Sequence, residues 1–331
     1  MRAKVIYFKY LYYFVCCGST RKLYNYLLNR IEKAMRKVFL KSLPVKVMIE
    51  PCNICNLKCE GCITGIKHPE AIKPLMLNFD QFRRIFDPVK EYVFSISLYN
   101  WGEPFLNEDI FSIVNYAVSN RCAVTLHSNF NVFNEGMAER AILSRLTHIY
   151  LSIDGATQET YEKYRKGGDL SRVLKNIEIL VNKRKEMKSI FPIVTWKYLI
   201  FPHNFREIEM ARRRSKELNV DGFEVFFGNL DNVATFGSEA RYDPATGKIV
   251  IYHKHFCDSL WDTLIMYPDG SVVPCCQSFR KIDIFGNSNA HSIREIWNND
   301  DYSKMRSIIG RRRIEKGIRT PCRDCKIIEH L

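Results

Sequence analysis

From residue 45 onward the chain alternates between two hydrophobic periods. Short apolar runs rich in β-branched and aromatic residues recur at "VKVMIEP" (45–51), "VFSISLYN" (93–100), "AVTLHSN" (123–129), "HIYLSID" (148–154), "IVTWKYLI" (193–200) and "GFEVFFG" (222–228), and each predicts a strand. Helical spacing lies between them. One helix over 107–120 opens with Asn107 and carries Ile110, Phe111, Val114 and Val118, and Leu170, Val173, Leu174, Ile177, Leu180 and Val181 mark another within 170–188. Asn204 predicts the cap of a helix running to Leu218. Six strands alternating with helices imply parallel βαβ units. Six units are too few for a closed eight-stranded barrel. The expected fold is therefore α/β, a partial (β/α)6 barrel with its site at the C-terminal strand ends. Those ends carry Asn100 to Glu103, Ser128, Asn129, Ser152 and Asp154.

The rhythm stops after residue 230. A loop-like stretch leads into short strands around a "YPDG" turn, which places a second, smaller unit at 231–331. Ahead of the barrel, residues 1–44 form a different kind of segment. They hold ten Lys or Arg against one acid, Glu32, so +9 of the chain's net +14 sits there. Leu23, Leu27, Ile31, Met35 and Val38 recur every three or four positions among the cations, after an aromatic run at 5–14. That pattern predicts a basic helical extension, either lying on an anionic membrane surface through residues 1–41 or packed on the barrel. No apolar run reaches the roughly 18 residues of a membrane span. No nucleic-acid-reading module accompanies the basic charge, so no nucleic-acid partner is expected. The expected location is cytoplasmic, at the inner membrane face if the extension binds lipid.

Twelve cysteines are too many, and too clustered, for packing alone. "EPCNICNLKCEGCITG" (50–65) holds Cys52, Cys55, Cys59 and Cys62. Such spacings in a long chain point to metal before disulfides. Cys55-x3-Cys59-x2-Cys62 offers three thiolates from one loop, which suits a cubane iron–sulfur cluster with one iron left open. The competitor is a closed zinc site with Cys52 as fourth ligand. Cys257, Cys275, Cys322 and Cys325 form a second group able to ligate one auxiliary 4Fe–4S cluster or a zinc ion, with Cys276 left over.

With these residues in view the chain resembles the radical S-adenosylmethionine (SAM) enzymes. "CNLKCEGC" matches that family's CxxxCxxC fingerprint just after the first strand. "YNWGEPFLNEDI" (99–110) resembles its GGEP segment, with Trp101 for the first glycine. "HSN" (127–129) and "LSIDGATQETYEKYRKGGDL" (151–170) resemble its third- and fourth-strand blocks. "CDSLWDTLIMYPDGSVVPCC", "GNSNAHSIREIWNND" and "CRDC" resemble a C-terminal SPASM-type domain in its shortened, one-cluster form. The resemblance implies a 4Fe–4S cluster with an open iron on Cys55, Cys59 and Cys62. It implies SAM held by Glu103 at its amino group, with Asn129 and Ser152 at its methionyl or ribose part and Arg165 at its carboxylate or at the substrate. It also implies a one-electron donor such as flavodoxin or ferredoxin. The residue before the third cysteine, usually aromatic, is Gly61 here, so any aromatic contact to adenine must come from elsewhere.

The implied chemistry is removal of a hydrogen atom from an unactivated carbon by a 5′-deoxyadenosyl radical. Two outcomes suit the residues. An alcohol becomes a ketone as a base takes a proton and the auxiliary cluster an electron; or a thiol, with Cys276 the candidate, returns hydrogen to the opposite face and gives an epimer. His253, His255, Asp258 and Lys197 are candidate bases. The 44 residues before the first strand do not look like a leader-binding domain, which favours a small polar substrate, a sugar or aminocyclitol, over a peptide. Oxidation of such an alcohol is the first expectation; epimerisation, peptide modification and a non-catalytic metal-bearing membrane scaffold are the alternatives.

Overall fold

The computed structural model describes residues 11, 15–71, 73–227, 238–243, 248–253 and 256–311, with backbone alone for 227, 238–243, 248–253 and 311. All six expected strands are present: β1 (Lys46–Ile49), β2 (Ser95–Leu98), β3 (Ala123–Ser128), β4 (His148–Ser152), β5 (Ile193–Ile200) and β6 (Gly222–Phe227). They pair in parallel in sequence order, with Val47 opposite Ile96, Ile96 opposite Val124, and Ile149 opposite Val194. Buried Val, Ile and Leu on these strands form one core with the crossover helices, as parallel strands covered on one side require.

The helices are α1 (Thr20–Ala34), α2 (Phe79–Phe86), α3 (Ile110–Ser119), α4 (Glu135–Leu143), α5 (Gln158–Tyr164), α6 (Leu170–Glu186) and α7 (Ile208–Glu217). Two asparagines expected at helix starts do other work. Asn107 sends its side-chain amide to the carbonyls of Pro51 and Leu77, 2.8 Å each, and α3 starts three residues later. Asn204 is turned inward, donating to Asp154 O and Leu199 O, and a short 3-10 turn (Phe205–Glu207) precedes α7. Both asparagines tie loops beneath the site instead of capping a helix.

Beyond β6, an antiparallel pair β7 (Ser238–Asp243) and β8 (Lys248–His253) stands as its own two-stranded sheet. Then α8 (Ser259–Asp262) leads into β9 (Thr263–Met266), which pairs in parallel with β1, so the barrel sheet is extended at its first edge. Strands β10 (Ser271–Val273) and β11 (Gly286–Asn287) continue it, giving the nine-stranded order β11-β10-β9-β1-β2-β3-β4-β5-β6. The "YPDG" turn joins β9 to β10, with Gly270 at φ +81°, where glycine alone carries no penalty. Helices α9 (Ile293–Trp297) and α10 (Asp300–Arg311) follow. Leu260, Trp261, Leu264, Trp297 and Met305 share the barrel's core, although the sequence pattern places them in a separate unit.

Helix α1 packs on the barrel with its polar face. Lys22, Asn25, Asn29 and Glu32 are buried, while Leu23, Tyr24, Leu27 and Ile31 are exposed. The anchors all reach segments that precede strands. Lys22 Nζ donates to the carbonyls of Asn120 and Arg121 before β3. Asn25 bonds both N–H and C=O of Leu43 before β1. Asn29 Nδ2 donates to Trp261 O, 2.6 Å, before β9. Glu32 accepts from the amides of Lys41 and Ser42 and the Ser42 hydroxyl. Thus α1 lies across the N-terminal ends of the strands, opposite the site end.

This arrangement makes a counter-intuitive prediction. Asn29→Leu makes α1 more apolar yet leaves the buried Trp261 carbonyl and Ser42 hydroxyl without their donor, so it costs about 1–3 kcal/mol of stability. Denaturant unfolding checks this; an unchanged or raised midpoint would contradict the packing direction.

Candidate functional site

The cysteine loop leaves β1 and is tied down before any metal is considered. Glu50, at the end of β1 and with no solvent exposure, accepts from the backbone N–H of Trp101 (2.6 Å) and of Gly102 (3.1 Å). Its other oxygen has no partner among the described residues. Burial pushes its carboxyl up to about 8. Gly102 has to be glycine, because a Cβ there would sit 2.0 Å from the Cys52 carbonyl oxygen. Glu103 N–H donates to Ile54 O, 2.8 Å, and the Cys52 thiol donates to Glu103 O, 3.1 Å. Cys52 is thereby committed to backbone carbonyls, and burial lifts its thiol to about 12.

Cys55, Cys59 and Cys62 line one cavity of about 490 Å³, together with Glu103, Asn129, Ser152 and Arg165. All four residues expected to face SAM therefore border the same space as the three loop thiols. Burial raises the Cys55 thiol to about 12. It raises Cys59 too, with Arg165 pulling the other way. The thiols must therefore lose protons to whatever they ligate. Three donors already face sulfur: Leu57 N–H toward Cys55 at 3.5 Å, Asn129 Nδ2 toward Cys55 at 3.7 Å, and Arg165 Nη1 toward Cys59 at 3.8 Å. Among the described residues no three His, Cys, Asp or Glu side chains converge to hold a single metal ion. Three thiols around a cavity, with Cys52 turned away, fit a cubane with one open iron better than a closed zinc site.

Glu103 is 1% exposed and rigidly held. Its Oε1 accepts from Ser128 Oγ (2.7 Å) and Phe105 N–H (3.2 Å), and its Oε2 accepts from Asn129 N–H (2.8 Å). A carboxylate has about four acceptor directions, so one remains on Oε2. Burial raises Glu103 to about 7, against the pull of these donors. Asn129 also sends its side-chain amide to Asn56 Oδ1 at 2.9 Å, linking the end of β3 to the cysteine loop.

Arg165 is no surface residue. Its Nε donates to Asp154 Oδ2 at 2.6 Å, and the two side chains are 13% and 0% exposed. Burial opposes its charge, but Asp154 and Cys59 outweigh that and hold the guanidinium firmly charged. Asp154 in turn accepts from Leu199 N–H at 2.7 Å, so the pair is locked to β5.

The same cavity is also lined by Tyr99, His127, Lys197, Phe226, Cys276 and Gln277. His127 stacks on Tyr99 with centroids 3.6 Å apart, and burial drives its pKa well down, so the ring is neutral. Burial also lowers Lys197, against the nearby Asp154, Cys276 and Glu224. Cys276 thus borders the cavity, while Cys275 is raised by its bond to Cys276, by burial and by Cys257. Of the other candidate bases, Asp258 pairs with Lys33 of α1 at 2.8 Å, on the opposite side of the barrel. Cys322, Cys325 and His255 lie outside the described residues, as does the side chain of His253.

Sequence reasoning missed Glu50, Tyr99 and His127. An acid ending an otherwise apolar strand was the available signal for Glu50. Gly61 also acquires a reason: its φ of +75° disfavours the aromatic residue usual there. Trp101 sits without positive φ and packs near Phe279, so a side chain is tolerated in place of the first glycine.

Comparison with known proteins agrees with this geometry. The radical SAM superfamily model matches residues 49–219, and an iron–sulfur cluster-binding domain model, SPASM, matches 257–326. The AdoMet-dependent heme synthase of Methanosarcina barkeri is 27% identical over 177 residues, 53% of this chain and 47% of that protein. Mycofactocin maturase MftC of Mycolicibacterium smegmatis is 25% identical over 153 residues, 46% of this chain and 38% of that protein. The chain thus spans less than half the length of these curated relatives. Among solved structures, Streptococcus suis SuiB bound to the precursor peptide SuiA superposes with a TM-score of 0.64 at 14% identity, covering 91% of this chain and 73% of that one. BtrN in complex with AdoMet and 2-DOIA gives 0.54 at 15% identity, covering 82% and 88%. At these identities the likeness is one of fold. A model match over more than half of the chain, on the residues that build the cavity, makes this protein a member of the radical SAM superfamily with a SPASM-type iron–sulfur domain.

Proposed function

We propose that the chain removes a hydrogen atom from a carbon of a small polar alcohol, of the sugar or aminocyclitol class, and oxidises it to a ketone. The observation that supports this most is the shared cavity itself, lined at once by the cysteine loop, the residues expected to face SAM, a buried amine and polar side chains. In this reading Cys55, Cys59 and Cys62 would hold a 4Fe–4S cluster, Glu103 accepts from the SAM amino group on the free side of Oε2, and Asn129, Ser152 and Arg165 border the rest of SAM. The cluster and SAM, when bound, would supply the radical chemistry that removes a hydrogen atom. The auxiliary 4Fe–4S cluster, on Cys257, Cys275, Cys322 and Cys325, supplies a one-electron acceptor.

The chain's own part is positioning and proton management. Glu103 fixes the SAM amino group by a charge-assisted N–H bond to its carboxylate in a water-poor pocket. The Arg165–Asp154 pair keeps a positive charge beside Cys59. Oxidising an alcohol removes one hydrogen atom, one electron and the hydroxyl proton. Lys197, its pKa lowered by burial, takes that proton at Nζ. Tyr99, Tyr164 and Phe226 offer the cavity's aromatic surface, which replaces the aromatic residue absent at Gly61.

A specific observation favours a second reading, radical epimerisation: Cys276 borders the same cavity. A thiol there returns a hydrogen atom to the carbon. We also propose that the enzyme works at a membrane face, reached through residues 1–41. A peptide substrate gains no support from the cavity lining.

Two outcomes follow. SAM affinity should rise with pH up to about 7 and then level, because the Glu103 carboxyl is neutral below that value and the amino N–H needs the anion as acceptor. Glu103→Gln should lower affinity at pH 8 by about tenfold or more and flatten the profile, a change worth ~1.4 kcal/mol or more. Calorimetric titration of SAM across pH checks both, and an unchanged, pH-independent affinity would remove Glu103 from the site. The fate of hydrogen separates the two reactions. Oxidation predicts product without solvent deuterium in D2O, Lys197→Met slowed at least tenfold and Cys276→Ala near wild type. One solvent deuterium at an inverted carbon, lost in Cys276→Ala, would establish epimerisation instead.

A further inference from the structure

Helix α1 is amphipathic with its sides reversed. Lys22, Asn25, Asn29 and Glu32 anchor it to the barrel, and the apolar stripe faces out: Leu23 is 42% exposed, Tyr24 70%, Leu27 60%, Ile31 56%, Met35 63% and Phe39 64%. Scattered exposed leucines are ordinary, but five large apolar side chains from Leu23 to Met35 along one helix face, with Phe39 exposed beyond the helix end, are not. A helix that keeps such a row out of its own core needs another apolar phase.

We propose that the outer face of α1 is a docking surface for an anionic phospholipid bilayer. This rests on the membrane-face reading above and adds the residues and the orientation. Charge decides the occupant. Exposed Arg30, Arg36, Lys37 and Lys41 accompany the apolar row, and the segment's sole acid, Glu32, is buried beneath it. The neighbouring acids Glu91 and Asp258 are already paired with Arg21 and Lys33. Residues 1–10 add Arg2, Lys4 and Lys9 and no acid. A second copy would bring a like-charged face against this one, whereas anionic headgroups complement it. Long basic stems also let their charges reach headgroups while the apolar row enters the acyl boundary. No helix among the described residues is long and apolar enough to cross a membrane, so the contact is peripheral.

Orientation follows from the anchors. Because α1 crosses the N-terminal ends of β1, β3 and β9, docking turns that end toward the bilayer and the cavity mouth toward water. The substrate then arrives from the aqueous side, in keeping with a small polar molecule. Deleting α1 would strip buried carbonyls of their donors, so point changes on the outer face are the cleaner probe.

The test is co-sedimentation of full-length protein with vesicles of phosphatidylcholine containing phosphatidylglycerol, and with phosphatidylcholine alone. Wild type should pellet with the anionic vesicles and be released by high salt. Leu27→Glu/Ile31→Glu should lower partitioning by about tenfold or more, as should the milder Leu27→Ser/Ile31→Ser, with SAM binding retained as the measure of folding. No binding by wild type would overturn the membrane reading altogether. Binding by wild type and both variants alike would overturn the assignment to α1 alone. A wild-type dimer in solution, dissociated by the same changes, would show that a second copy covers the face.

Discussion

A carboxyl group without access to water sets the geometry of this enzyme. Glu50, the last residue before the cysteine loop, reaches across to the backbone of Trp101 and Gly102 and so joins the exit of β1 to the exit of β2. Burying such a group costs several kcal/mol unless it is satisfied, and here backbone N–H groups satisfy one oxygen. The bond draws the 101–103 backbone so close to Cys52 and Ile54 that only glycine fits at 102. Glu103 then follows with its main chain pinned on Ile54 and its side chain pinned by Ser128, Phe105 and Asn129. One buried contact thus fixes the Glu103 carboxylate relative to the thiols.

A second buried charge organises the lining beside Cys59. Asp154, fully enclosed, holds Arg165 by a short Nε contact and takes Leu199 N–H in addition. The arginine is thereby presented to Cys59 while its charge is kept. Removing either partner would leave an unpaired buried ion, a cost of about 3–5 kcal/mol. These two centres, Glu50 and Asp154, tie the cavity lining to strand ends instead of to loosely held loops. That is the rigidity that radical chemistry needs, since a reactive carbon must meet its partner and nothing else.

Much of this was legible in the chain. β-branched and aromatic runs marked all six barrel strands, because the side chains that pack against the crossover helices recur along each of them. The CxxxCxxC spacing and the WGEP segment marked the site because they are local. What was not legible is non-local. Nothing near Thr263–Met266 indicates that it pairs with Lys46–Ile49, over two hundred positions away, and so merges the C-terminal segment into the barrel sheet. Asn107 and Asn204 look like helix caps in sequence, but partners distant in sequence claim their side chains. The periodicity of Leu23, Leu27 and Ile31 correctly announced an amphipathic helix, yet a period cannot say which face turns inward. That choice was made by Asn25, Asn29 and Glu32, whose buried partners lie at Leu43, Trp261 and Ser42.

The central claim is that the Cys55 loop presents an iron without a protein ligand to SAM in the Glu103 cavity. Electron paramagnetic resonance on anaerobically reconstituted, dithionite-reduced protein tests it most directly, using a Cys257→Ala/Cys275→Ala variant so that the loop cluster is seen alone. The account predicts a reduced 4Fe–4S signal whose g-values shift on adding SAM, with line broadening when the SAM amino nitrogen or carboxylate oxygen carries a magnetic isotope. A signal indifferent to SAM, or a protein that takes up zinc and no iron, would contradict it.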